Sequence, residues 1–345
     1  MIPTSTYEYS HTVGFHALIG RGFNNPVDVT IGRDGVMYVV NRVGPEVEVR
    51  IGYKRVTMCT VDQEYLGEFG IGGRAAGQLM WPAAIASDRA GNVYISDEAL
   101  HRISIFDSQG RFLDSWGEKG TDGGELQRPA GIAFDKDDNL LVVDGLNGRI
   151  QRFTRDGRFL GGWGRPGAGN GEFSFPWGIT TDGRGDVYVA DWRNDRVQKF
   201  DPDGTHLATW GASGQGDGEF HRPSGVAVDP EGNLFVADWG NERVQLLDSD
   251  GGFLAKFRGE SGVSKWGDDY FVSNRDELEE RLKADLEPEL DLQAGEAVRY
   301  RDESASIEKL FWGPTSVKVD AHGTLYVVES CRHRIQVYRR VVSAD

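Results

Sequence analysis

A chain of 345 residues with a formal net charge of −16 lacks the basic surface that a phosphate backbone requires of a partner, so nucleic acid is excluded as an expected ligand. Residues 1–15 show no basic segment followed by an apolar one, and no apolar run is long enough to cross a bilayer, which excludes membrane insertion and predicts a soluble, cytoplasmic protein. The 47 glycines against two cysteines, Cys59 and Cys331, predict a turn-rich β protein with reduced thiols.

Taken in order, residues 15–20 read as a lone strand similar to residues 112–117. A first repeat then opens at Pro26 and runs for 56 residues, nine more than the later ones, with the excess between Asn41 and Arg55. Pro82, Pro129, Pro176 and Pro223 follow at a constant spacing of 47, which is the mark of stacked supersecondary units. Within each copy apolar residues alternate, as in Val93-Tyr94-Ile95, and turn residues such as Asp203-Gly204 separate them, predicting four short strands per copy. A sixth copy opens at Pro314 after 91 residues, leaving an insert over residues 259–312.

That insert holds the one helical pattern, with Ser273 or Asn274 as N-cap, acids in the first turn, and a stop at Pro288. Leu278, Leu282 and Leu286 form a narrow apolar stripe opposite an acidic side, so the helix needs a surface to lie on. The expected fold is an all-β, six-bladed β-propeller occupying residues 1–345 as a single domain. The N-terminal strand closes the last blade, and the insert rises as a lid on the face that carries Trp192 and its equivalents.

Repetition separates framework from site. Arg55, Arg102, Arg149, Arg196, Arg243 and Arg334 recur in every copy, as do Asn41, Asp97, Asp144, Asp191, Asp238 and Glu329, and these read as side-chain ties in the turn between strands two and three. The alternative for the acids is a ring holding a divalent cation such as calcium. Positions that break the pattern are the candidates for function. Trp177, Trp192 and Trp239 fall on blades 4 and 5, where they form either a ligand surface, together with Arg193, or an anchor for the insert. Asp28, Arg42, Glu98, His101 and His333 supply charge, with Glu98 and His101 as proton-transfer candidates, Arg42 as an anion anchor, and Asp28 and His333 as ligand contacts. Cys331 with His333 suggests a nucleophile and base.

The stretch from Pro223 to Gln245 resembles the NHL-repeat blade, and the resemblance spans the chain outside the insert. Among enzymes the chain resembles the peptidyl-hydroxyglycine α-amidating lyases, through residues 39–42, which match the segment carrying that group's catalytic arginine, and residues 96–101. That resemblance implies zinc bound by histidines that directly follow blade prolines, but those places hold Ala83, Trp177 and Thr315, and the catalytic tyrosine's place holds Leu146. The glutamate of gluconolactonase-type propellers is also missing, Val43-Gly44-Pro45 being the nearest string. The expectation is therefore a small-molecule site at the channel mouth without a confidently assigned cofactor. It serves a non-zinc lyase or hydrolase, or the chain is a protein-docking module acting through the acidic insert, or an inactive lyase relative.

Overall fold

In the computed structural model, which describes residues 5–32, 34–43, 53–286, 288 and 303–342, six four-stranded antiparallel sheets stand around a central channel. Their innermost strands are Pro26–Ile31, Pro82–Ser87, Pro129–Phe134, Pro176–Thr181, Pro223–Val228 and Pro314–Val319, each beside the next around a closed ring. Proline opens each innermost strand, a place where its missing N–H costs no ladder bond.

The hairpin after this strand is fixed by an aspartate. In blade 5, Asp229 Oδ1 accepts the N–H groups of Glu231 and Asn233 at 3.0 and 2.8 Å, and Gly232 supplies the positive φ of 91° that the turn demands. The core is made of wedges between neighbouring blades. Ala130, Leu141, Val143 and Ile150 of blade 3, for example, interlock with Ile179, Val187, Val189 and Phe200 of blade 4, and equivalent clusters fill the other five junctions.

The channel is pinched near its proline end. A Cβ on Gly178 would lie 2.7 Å from the Ser224 carbonyl oxygen, so blades 4 and 5 approach as closely as glycine alone allows. On the opposite wall Asp28 joins three blades. It accepts from Ile85 N at 2.9 Å and Ser316 Oγ at 2.6 Å, and pairs with Lys318 Nζ at 3.3 Å. The carboxylate of Asp28, expected as a ligand contact, is thus buried and engaged in closing the neck.

Strand Ser5–Val13 pairs with Arg334–Val342 and completes blade 6. Closure by an N-terminal strand is as expected, but the strand lies upstream of residues 15–20, which form the connection into blade 1. Gly14, φ 100°, twelve residues before Pro26, takes the place of Gly164, φ 92°, twelve before Pro176.

Among its described residues the insert includes the helices α1 (Lys265–Ser273) and α2 (Arg275–Lys283) and a helical turn over residues 303–306. Ser264 caps α1 by accepting from Gly267 N at 3.0 Å, and Trp266 enters the blade 6 to blade 1 core beside Phe23, its Nε1 donating to Gln63 O at 2.7 Å. Asn274 is the N-cap position of α2, which ends at Lys283, before Pro288. The leucine stripe does not bury: α2 has no buried residue and Leu282 is 76% exposed. Instead, Arg281 holds α2 by an ion pair with Glu308 and a hydrogen bond to Ser261 O.

Candidate functional site at the channel mouth

The proline end of the channel is ringed by the turns that join strands two and three. Their acids bind the recurring arginines: Asp144 to Arg149 and Asp191 to Arg196 at 2.8 Å, Asp238 to Arg243 at 2.7 Å, and Glu329 to Arg334 at 2.6 Å. The remaining oxygens accept backbone N–H groups, as Asp238 does from His221 at 2.7 Å. Burial raises the pKa of Asp191, Asp238 and Glu329, and these donors oppose it. The oxygens that a calcium ring would need are spent here on guanidinium and amide donors. Among the described residues no group of three or more His, Cys, Asp or Glu is placed to hold a metal ion. At the three zinc positions of the amidating lyases, Ala83 and Trp177 offer no ligand atom and the Thr315 hydroxyl donates to Val328 O at 3.4 Å.

The residue before four of the recurring arginines ties one blade to the next. His101 Nδ1 accepts from Arg128 N at 3.1 Å, Asp195 Oδ1 from Arg222 N at 2.6 Å, Glu242 Oε2 from Gly313 N at 2.6 Å, and His333 Nδ1 from Asn25 N at 2.9 Å. Both ends of these ties are in the left-handed region, with φ between 48° and 69°. The two histidines are therefore framework in this respect: the Nδ1 lone pair a base would use is occupied. Burial lowers the pKa of both, aided by Lys119 at His101, and for His333, stacked 4.6 Å from His16, to about 4.

Glu98 is almost wholly buried and lies between two guanidiniums, Arg42 NH2 at 2.7 Å from one oxygen and Arg128 NH2 at 2.7 Å from the other. Glu98 and His101 do lie in one cleft, as their expected partnership requires, yet the carboxylate serves as a counter-ion. Arg42 is itself only 14% exposed, lies 4.0 Å over Trp81, and has its pKa lowered by burial to about 10, so its charge is committed inward. Of the expected anion anchor and proton-transfer groups, Arg42 and Glu98 are thus paired with each other, and His101 Nδ1 with the Arg128 amide.

The tryptophans do converge. Trp192 lies 6.4 Å from Trp239, and Phe175 bridges Trp192 and Trp177 at 5.9 and 5.8 Å. Arg222 stacks 4.8 Å over Trp192, and Arg193 5.2 Å over Phe175. Both guanidiniums are exposed and have no ion pair or side-chain hydrogen bond among the described residues. The channel beneath Trp177 narrows to about 20 Å³, room for a water molecule, so the site is a platform and not a deep pocket.

The described helices do not lie on this platform. They stand by the blade 6 turn, where Phe15, Phe271, Arg281 and His333 enclose a separate cavity of about 270 Å³, while residues 287 and 289–302 of the expected lid lie outside the described residues. The extra residues 44–52 of blade 1 lie outside them as well. Four residues of the mouth, Trp81, Arg128, Phe175 and Arg222, escape the sequence reading. Each directly precedes a blade proline, and a comparison of that position across the repeats exposes them.

Six radial four-stranded blades around a channel define a β-propeller. Residues 126–153, 173–200, 220–245 and 311–338 match the model of the NHL repeat, so the chain carries NHL repeats. No curated protein matches the sequence. Solved structures similar to it include a structural genomics protein of unknown function from Bacteroides thetaiotaomicron (16% identity, 98% of this chain and 77% of that one, TM-score 0.63). A streptogramin B lyase is also similar (12% identity, 98% of each chain, TM-score 0.56), as is virginiamycin B lyase from Staphylococcus aureus (11% identity, 98% of this chain and 100% of that one, TM-score 0.56). At such identities the likeness is one of fold. No helix is long and apolar enough to cross a membrane among the described residues.

Proposed function

We propose that the mouth platform on blades 4 and 5 binds a small, planar, anionic molecule. The observation that supports this is the pairing of exposed arginines with rings: Arg222 over Trp192 and Arg193 over Phe175. Stacking occupies a guanidinium's face and leaves its in-plane N–H donors for an oxyanion, while the adjoining indoles offer surface to an aromatic ring. Binding ranks ahead of lyase or hydrolase chemistry because the lone pairs of Glu98 and His101 that a general base would use are already engaged.

The test is calorimetric titration with 2-naphthalenesulfonate. Arg222→Ala removes one charge-assisted hydrogen bond, worth about 1.5–3 kcal/mol, and weakens binding by roughly tenfold or more. Trp192→Ala weakens it similarly. Wild-type affinity in both variants overturns the assignment. Docking of a protein is the second reading, favoured by the exposed leucine on α2. Removing α1 and α2 would abolish partner capture and leave naphthalenesulfonate binding intact.

A further inference from the structure

Between blades 2 and 3, at the same rim, lies a cleft of about 290 Å³ lined by Trp81, His101, Lys119, Arg128 and Leu146 among others. Its polar lining is dominated by donors. Because His101 Nδ1 accepts the Arg128 backbone N–H, the proton of the neutral ring is on Nε2, which becomes a donor. Lys119 is exposed and has no ion pair or hydrogen bond among the described residues. Arg128 spends Nε and one NH2 group on Glu98 and keeps the other.

Charge points the same way. The single carboxylate of Glu98 is shared by Arg42 and Arg128, so with Lys119 the cleft holds surplus positive charge. Opposite these donors, Leu146 is 45% exposed and gives the cleft an apolar wall.

We infer that this cleft binds the carboxylate of a small organic acid. Lys119 Nζ, His101 Nε2–H and the unspent Arg128 amino group supply donors, and the acid's aliphatic body lies on Leu146. This site is independent of the aromatic platform proposed above. With the one carboxylate of the lining, Glu98, already paired to two guanidiniums, the cleft disfavours cations, and the apolar wall favours an alkyl carboxylate over inorganic phosphate.

The test uses the full chain labelled with ¹⁵N, with the His101 ring resonances followed by NMR during titration with sodium butyrate, sodium acetate and sodium phosphate, chloride keeping ionic strength constant. A saturable shift is expected with butyrate, with several-fold weaker binding of acetate. Lys119→Ala, at an exposed position that does not threaten folding, weakens butyrate at least tenfold, Lys119→Arg retains most of the affinity, and Arg222→Ala leaves it unchanged. The inference is overturned if the His101 ring responds to butyrate no more than to chloride, if Lys119→Ala binds like wild type, or if phosphate binds more tightly than butyrate. Loss of butyrate binding in Arg222→Ala would overturn the independence of the two sites.

Discussion

Replacing Glu98 by glutamine keeps the shape of the mouth and removes the charge that two arginines share. The two legs of this bridge are unequal: the Arg42 side chain is 14% exposed, whereas that of Arg128 is 43% exposed and regains water when released. Only the Arg42 leg carries the cost of a stranded buried ion, and breaking such a pair costs about 3 kcal/mol at the low end of the observed range. An unfolding entropy of about 2.1 cal/mol/K per residue, over 345 residues, amounts to roughly 0.7 kcal/mol/K, so the variant should unfold about 4 °C below wild type. Differential scanning calorimetry at pH 7 reads this directly. Adding Arg42→Gln should recover part of the loss, since it removes the stranded charge. An unchanged transition temperature in Glu98→Gln, or simple additivity in the double variant, would refute the counter-ion role.

Two further outcomes are expected. His333, held down at about 4 by burial and by His16, binds its proton less readily folded than unfolded, so it contributes stability that is present above pH 6.5 and lost as pH falls toward 4. His333→Asn should flatten that part of the melting-temperature profile relative to wild type, and an identical slope would show that other groups carry it. Trp266→Ala opens a cavity where α1 enters the core, at a cost of about 3–5 kcal/mol. Hydrogen exchange in residues 265–283 should accelerate while the blades retain protection, and unaltered exchange would mean the helices are held by Arg281 instead.

The fold was legible because its unit is written repeatedly, and a spacing of 47 survives any substitution that leaves loop lengths alone. The closing strand was misplaced because residues 15–20 mimic the apolar pattern of a fourth strand, whereas the decisive signal is a backbone requirement, the positive φ of Gly14. At the mouth, rarity among the repeats found Trp177, Trp192 and Trp239 correctly as neighbours, since position within a blade maps to height along the channel. It could not tell an engaged charge from an available one. Glu98 and Arg193 both stand out on paper, but the first is buried under two guanidiniums and the second lies open on Phe175. Partnership of that kind depends on residues far along the chain and across a blade junction, Arg128 on one side of Glu98 and Arg42 on the other, which no local pattern encodes. The α2 stripe misled for a related reason: helical periodicity shows that a face exists, and whether anything covers it is decided by Trp266 on the preceding helix.

Strand Ser5–Val13 makes the ring a clasp whose other half, Arg334–Val342, is synthesised only after all the intervening blades. The earlier half must wait, unpaired, for the later one, and until they meet the nascent chain is an open arc with two raw sheet edges. Such an arc can add a strand from any neighbour, so crowding on a polysome is the moment of greatest danger for this molecule. Once fastened, the same clasp lets neither of these strands fray without opening blade 6, and pulling them apart loads the whole circle at once.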